Sequence, residues 1–307
     1  QSDLAQSRLM ASIHCTLALP PGFRVADILE FHRRDPQAFS ERVENNVLTK
    51  GMVWENQTAC LTVSFQPQQA EVKISLDGRS TATDAKTLAS HVGRMLGLTQ
   101  PVEEFEAHHR QHPQLGPLLH RQSGLRVPLA ATPFEALTWA ITGQQISVSA
   151  AVSMRRKLIK AAGLVHSSGL ACYPDAERLI SLSEADLRVA GFSANKAQTL
   201  LAVSGKVLSK ELPLDNWQAN LPVNDIHERL LAIRGIGPWT VNYTLLRGFG
   251  WLDGSLHGDV AVRRGMQTLL NHPDKISEAA ARQWLADFSP WRALLAAHLW
   301  ASLSLTT

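Results

Sequence analysis

The chain has 307 residues, of which 45% are hydrophobic, 19% charged and 6% aromatic, enough apolar material for about two packed domains. That composition excludes a disordered tail, a collagen-like rod and a small disulfide scaffold, and no apolar run approaches the ~18 residues of a membrane span. The net charge is +3, with the first 130 residues summing to zero and the excess lying beyond them, a balance that permits an anionic partner without demanding one.

In chain order, Ser12 to Leu19 alternate and carry β-branched residues, as a half-buried strand does. Ile13 to Pro21 is short, is broken by His14 and Cys15 and lacks a basic leader, so it reads as strand and not as signal peptide. The chain starts at Gln1 without a methionine, which leaves room for native residues or a further domain upstream. Val25 to Arg34 sets Val25, Ile28, Leu29 and Phe31 at helical spacing and ends before Asp35-Pro36. The runs VLTKGMVWE, ACLTVSFQP and AEVKISL then read as strands parted by Asn-Gln and Pro-Gln turns, and a helix is predicted over 85–98. This order predicts an α+β N-terminal domain with an antiparallel sheet over 1–112.

After Pro101 strand signals stop. Helices are predicted at 102–110, 114–121, 133–143, 147–162, 175–180, 183–189, 193–209, 223–233, 238–248, 259–270, 277–286 and 290–302. The remainder, 113–307, is therefore expected to be a mostly α-helical domain. Cys15, Cys60 and Cys172 form no C-x-x-C pair, which excludes a zinc ribbon or a four-cysteine cluster and suits a reducing compartment.

The most informative stretch lies at about 226–248, where a helical pattern meets Arg234-Gly235-Ile236-Gly237 and resumes at Pro238-Trp239-Thr240. The glycines permit positive φ on either side of Ile236, and Pro238 suits the first position of a helix. A helix-hairpin-helix motif results, whose second helix offers N–H groups fit for a phosphate and indifferent to base sequence. A plain helical corner is the competing reading of Gly-Ile-Gly-Pro. Further on, Asp259 stands where it would cap the helix over 260–270.

With Asn242-Tyr243, Leu246-Arg247-Gly248, Gly258-Asp259 and Arg263-Arg264, the hairpin resembles the helix-hairpin-helix Gly/Pro-Asp superfamily of DNA glycosylases, most of all its bacterial DNA-3-methyladenine glycosylase II (AlkA) type. Phe134-Glu135, Gly143-Gln144, Ser147-Val148-Ser149, Pro290-Trp291-Arg292 and His298-Leu299-Trp300 extend the likeness over about 130–303, and the α+β unit also fits. The resemblance implies a glycosylase that flips alkylated bases out of duplex DNA and hydrolyses them away, with Asp259 as the catalytic carboxylate. Relatives that also cut the strand carry a lysine just after the hairpin. Here that position is Trp239, and no lysine occurs between Lys210 and Lys275, so the implied enzyme is monofunctional and leaves an abasic site.

The resemblance further implies a base pocket built from Trp239, Tyr243 and Trp300, with Phe31 as a first-domain contributor. Tryptophans at helical spacing are also ordinary core, and Trp139, Trp217, Trp251 and Trp284 are read as core or surface. DNA contacts are expected from Gly235, Gly237, Thr240, Gln144, Gln145 and Arg263, with Gln145, next to Ile146, at the position of the wedge that fills the vacated stack. Gln144 and Gln145 could equally form a plain linker, while Arg263, Arg264 and the RRKLIK run over 155–160 could be solvated helix faces. No redox or nucleotide cofactor is implied. A monovalent cation, Na⁺ or K⁺, is implied at the backbone carbonyls of Leu231, Ile233 and Ile236.

Where many relatives read Phe-Pro, this chain has Ser255-Leu256-His257-Gly258. A more flexible loop is expected there, and His257 could touch DNA, tune Asp259 or face solvent. The expected partner is damaged double-stranded DNA, met by a monomer in the bacterial cytoplasm at the nucleoid, without a membrane. Rival readings are a glycosylase for uracil, hypoxanthine or an oxidised purine, and a non-catalytic helix-hairpin-helix DNA-binding module.

Overall fold

The computed structural model describes residues 11–304. The chain divides into two compact units, one holding residues 1–21, 25–93 and 145–208 and the other 22–24, 94–144 and 209–307. They do not follow the expected cut at 112/113. The text of a sequence shows where strands give way to helices, but not which core a helix covers.

The first unit carries a five-stranded sheet in the order β1-β5-β4-β3-β2. Its strands are β1 (Ala11–Ala18), β2 (Glu41–Glu44), β3 (Val47–Trp54), β4 (Gln57–Phe65) and β5 (Gln69–Leu76), and all neighbouring pairs are antiparallel. In β1 exposure alternates residue by residue, as expected of a strand with one covered face, and Ile13, Cys15 and Leu17 pair with Ile74, Val72 and Ala70. Asn45 and Asn46, both at positive φ, form the tight turn between β2 and β3, a geometry that suits asparagine. Helix α1 (Val25–His32) precedes β2, and α2 (Ala85–Met95) follows the sheet. The later helices of this unit are α6 (Val148–Ala162), α7 (Ala176–Ile180), α8 (Glu184–Val189) and α9 (Ala194–Leu208).

Strand β2 has no counterpart in the sequence reading. Its Glu-Arg-Val-Glu text offers a single apolar side chain, yet Glu41 is fully enclosed, its side chain 1% exposed. The carboxylate accepts from His32 Nδ1 and Arg155 Nη2, both at 2.6 Å, and lies 3.3 Å from Arg34 Nη2 and 3.4 Å from Lys50 Nζ. Burial alone would raise this carboxyl; Arg34, Lys50 and Arg155 overcome that and hold it well below the ordinary range.

The second unit is helical. It contains α3 (Val102–His109), α4 (Leu115–Arg121), α5 (Pro133–Thr142), α10 (Leu214–Trp217), α11 (Val223–Leu231), α12 (Pro238–Phe249), α13 (Val260–Leu269), α14 (Glu278–Ala286) and α15 (Arg292–Leu303). Its core joins Phe105, Leu115 and Leu118 from the early segment to Leu256, Met266, Leu285 and Leu295 from the late one. Gly265 of α13 sits so close to α15 that a Cβ there would lie 2.9 Å from the Cβ and the carbonyl oxygen of Leu299. Among the described residues no helix is long and apolar enough to cross a membrane, and the three cysteines are free.

Candidate active site

Helix α11 ends at Leu231 and α12 begins at Pro238, so the hairpin spans 232–237, two residues more than the four expected. Ile233 and Ile236 are buried and fasten the turn from below, while the Ile236 amide donates to the Ile233 carbonyl at 3.1 Å. Gly235 holds φ +93°, a conformation that favours glycine. Gly237 caps α12 without a side-chain hydrogen bond, and a Cβ there would meet nothing within 4 Å. The N-terminus of α12 thus has no side-chain cap and its cap residue borders open space, which leaves room for an anion.

Two residues expected at the DNA are hydrogen-bonded within the hairpin. Gln144 Nε2 donates to the Gly235 carbonyl at 3.0 Å and to Thr240 Oγ1 at 2.8 Å. Thr240 itself is buried, 2% exposed, so its hydroxyl fastens the turn and does not face solvent. Arg263 is partly exposed; its Nη1 reaches the Ile276 carbonyl at 3.4 Å and its Nη2 lies 3.9 Å from Glu278. The neighbouring Arg264 is the exposed one. Gln145 is exposed and holds φ +55°, a backbone conformation uncommon outside glycine.

Asp259 is the N-cap of α13. Its Oδ1 accepts from the Val262 amide at 3.0 Å and from Trp300 Nε1 at 3.2 Å, and its Oδ2 accepts from Trp239 Nε1 at 2.9 Å. All three donors are neutral, and among the described residues no cation pairs with this carboxylate. The side chain is half-buried, so it stays within reach of a ligand. Capping and charge placement therefore coincide in one residue.

The aromatic residues expected in a pocket meet here. Trp239 and Tyr243 stack, 5.0 Å between centroids and 29° between planes, as their i, i+4 spacing on α12 allows. Tyr243 and Trp300 lie 6.1 Å apart at 55°. Two further residues belong to the group. Trp139, read from sequence as core or surface, donates from Nε1 to Tyr243 Oη at 3.1 Å. Arg247, another turn along α12, places its guanidinium 5.5 Å over Trp300 and donates to the Pro128 carbonyl at 2.8 Å. The helical spacing of Tyr243 and Arg247 could have flagged the second; nothing in the sequence ties Trp139 to a tyrosine a hundred positions on. Phe31 belongs to the sheet unit, where Arg34 covers its ring at 4.6 Å.

The loop before Asp259, expected to be more flexible for want of Phe-Pro, makes several contacts. Leu256 is fully buried, Asn242 Nδ2 donates to the Ser255 carbonyl at 3.0 Å, and Asp253 accepts from Arg292 Nε at 2.9 Å and Ser289 Oγ at 2.8 Å. The Leu252 carbonyl accepts from the Ala293 and Leu294 amides at the start of α15. His257 bonds Ser255 Oγ at 2.8 Å. Burial, with Arg282, Arg292 and Arg263 adding and Glu278 opposing, pushes its imidazole below the ordinary value, so it is neutral at pH 7.

Comparison with known proteins gives concordant matches. Residues 138–290 match the family described as HhH-GPD superfamily base excision DNA repair protein, and residues 14–132 match the AlkA N-terminal domain. The DNA-3-methyladenine glycosylase of Bacillus subtilis (strain 168) is 24% identical over 292 residues, covering 94% of this chain and 96% of its own. Among solved structures, the 3-methyladenine DNA-glycosylase from Archaeoglobus fulgidus superposes with a TM-score of 0.79 at 20% identity, covering 93% of this chain and 97% of that one. The Clostridium acetobutylicum 8-oxoguanine glycosylase/lyase, bound to double-stranded DNA with cytosine opposite 8-oxoguanine, gives 0.68 at 17% identity over 89% and 91%.

Proposed function

The chain belongs to the HhH-GPD superfamily of base excision DNA repair proteins and carries an AlkA N-terminal domain, and on that premise we propose that it is a DNA glycosylase releasing alkylated bases, of the 3-methyladenine and 7-methylguanine type, from double-stranded DNA. The observation that carries this reading is the uncancelled carboxylate of Asp259 among the rings of Trp239, Tyr243 and Trp300. An N-glycosidic bond breaks with positive charge building on the sugar. A carboxylate about 4 Å from that charge, at an effective dielectric of about 20, contributes on the order of 4 kcal/mol, roughly a thousandfold in rate. The same group can orient or deprotonate the attacking water.

The rings act on the other half of the bond. A base must leave the stack to be reached, at a cost of a few kcal/mol, and aromatic faces attract cationic or electron-poor alkylated purines. The open N-terminus of α12, at Gly235 and Gly237, takes a phosphate, and Gln145 is assigned to fill the gap in the duplex. Main-chain carbonyls at Leu231, Ile233 and Ile236 are hard oxygen donors suited to a monovalent cation, whose charge would favour a nearby phosphate. The Ile233 carbonyl already accepts the Ile236 amide. With no lysine from 211 to 274, the reaction ends at the abasic site. The glycosylase/lyase neighbour shares the fold without sharing that expectation.

The decisive experiment incubates the protein with duplexes bearing 3-methyladenine, 7-methylguanine, uracil, hypoxanthine or 8-oxoguanine, and measures both free base and strand breaks. Release of the methylated purines with strands intact until alkali is added is expected. Binding without release would favour the non-catalytic module, and strand cleavage at neutral pH would overturn the monofunctional reading.

A further inference from the structure

The rings around Asp259 have two chemically different parts, a face and an N–H edge, and the stacking role uses only the face. The edges of Trp239 and Trp300 both end on the carboxylate, one on each oxygen. We propose that Trp239 and Trp300 are positioning residues for Asp259, fixing its carboxylate through their indole N–H groups while leaving its charge uncancelled; this rests on the glycosylase reading.

Indole is a donor only and stays neutral. An arginine or lysine in the same place would hold the carboxylate more tightly but would oppose the positive charge that the carboxylate must meet. Neutral donors fixed beforehand avoid that conflict, and they cost no reorganisation when charge develops. The two indoles come from different helices, Trp239 from α12 and Trp300 from α15, and the third donor, Val262 N, from α13. Each ring has a neighbour on its face, Trp239 stacking with Tyr243 and Trp300 lying against the Arg247 guanidinium. The close approach of Gly265 to Leu299 sets α13 against α15 and so fixes where Trp300 meets Asp259. Oδ1 carries two donors and Oδ2 one. Oδ2 therefore keeps the larger acceptor capacity for a water or for the sugar.

The test separates edge from face. Trp300→Phe and Trp239→Phe keep an aromatic ring and lose the N–H. Single-turnover release of 7-methylguanine is expected to slow about tenfold in each, the size of one hydrogen bond to a charged group, with the half-saturating duplex concentration little changed. Binding is then measured to a duplex in which a cationic pyrrolidine replaces one sugar and no base is attached, so stacking on a base is not probed. Trp300→Phe is expected to weaken that binding about tenfold when Asp259 is present and not at all in an Asp259→Asn background. Equal losses in both backgrounds would overturn the proposal and leave the glycosylase reading standing. A wild-type protein that releases no methylated base, and prefers the pyrrolidine no more than a neutral tetrahydrofuran, would sink both. Should either phenylalanine variant fail to fold, indole ¹⁵N–H spectra of wild type and Asp259→Asn decide: movement of the Trp239 and Trp300 signals supports the contacts, and no movement overturns them.

Discussion

Two carboxylates in this molecule are held in opposite ways. Glu41, in the sheet unit, is fully enclosed and faces Arg34, Lys50 and Arg155. Asp259, in the helical unit, is half-exposed and meets only neutral N–H groups. A carboxylate answered by full positive charges is electrostatically satisfied and serves the fold. One answered by dipoles is oriented but still attracts a cation. Geometry alone would not distinguish a structural acid from a chemical one; the charge of the donors does.

The largest expected effect comes from removing the unanswered charge. Asp259→Asn should slow base release by roughly a thousandfold, measured in single turnovers, while melting close to wild type because asparagine caps a helix about as well as aspartate. A rate within about tenfold of wild type would place the chemistry elsewhere. The opposite outcome is expected at Glu41→Gln, which strands buried cations. Urea denaturation should show a loss of about 3 kcal/mol with base release per folded molecule unchanged, and a neutral result would mean that the cluster is not structural.

The pH dependence of stability refines the contrast, because neutral buried groups also titrate. Burial, with Arg24 adding, holds the His298 imidazole at about 3, against about 6.5 in an unfolded chain. Between those values the unfolded chain binds a proton that the folded one refuses, so stability falls as pH drops from 6.5 toward 3. At pH 5 the loss relative to pH 7 should be about 2 kcal/mol from this group, and His298→Gln should flatten the slope. The smallest effect is expected at Gln144→Ala, which unfastens the hairpin at Gly235 and Thr240. Undamaged duplex should bind about fivefold more weakly by fluorescence anisotropy, the scale of one neutral hydrogen bond, whereas a change beyond about a hundredfold would mean that Gln144 meets the DNA itself.

Much of the fold was legible because its apolar periodicity is clean. β1 alternates, the capping residues Thr132, Ser147, Asp175, Ser183 and Ser277 stand in the text where helices begin, and the predicted helices agree closely with those observed. What escaped was short or polar: β2, held by charges on distant elements, and the single turn of α10. The grouping of α6 to α9 with the sheet was also invisible, because it depends on contacts far apart in sequence. At the site, the family resemblance singled out Asp259, Trp239, Tyr243 and Trp300, and the structure brings these side chains together. The roles of Gln144 and Thr240 were not legible, since a polar side chain beside a hairpin can face outward or inward, and only the observed hydrogen bonds decide.

The helical core unites residues 102–127 with 246–299, and the chain between them includes 145–208, which packs into the other unit. During synthesis, the sheet unit has all its parts once residue 208 has left the ribosome. The helical one must wait for α15, roughly ninety residues later and several seconds at ordinary elongation rates. Within the helical unit Trp300 thus arrives late, and nascent protein would hold a finished sheet well before Asp259 acquires its second indole.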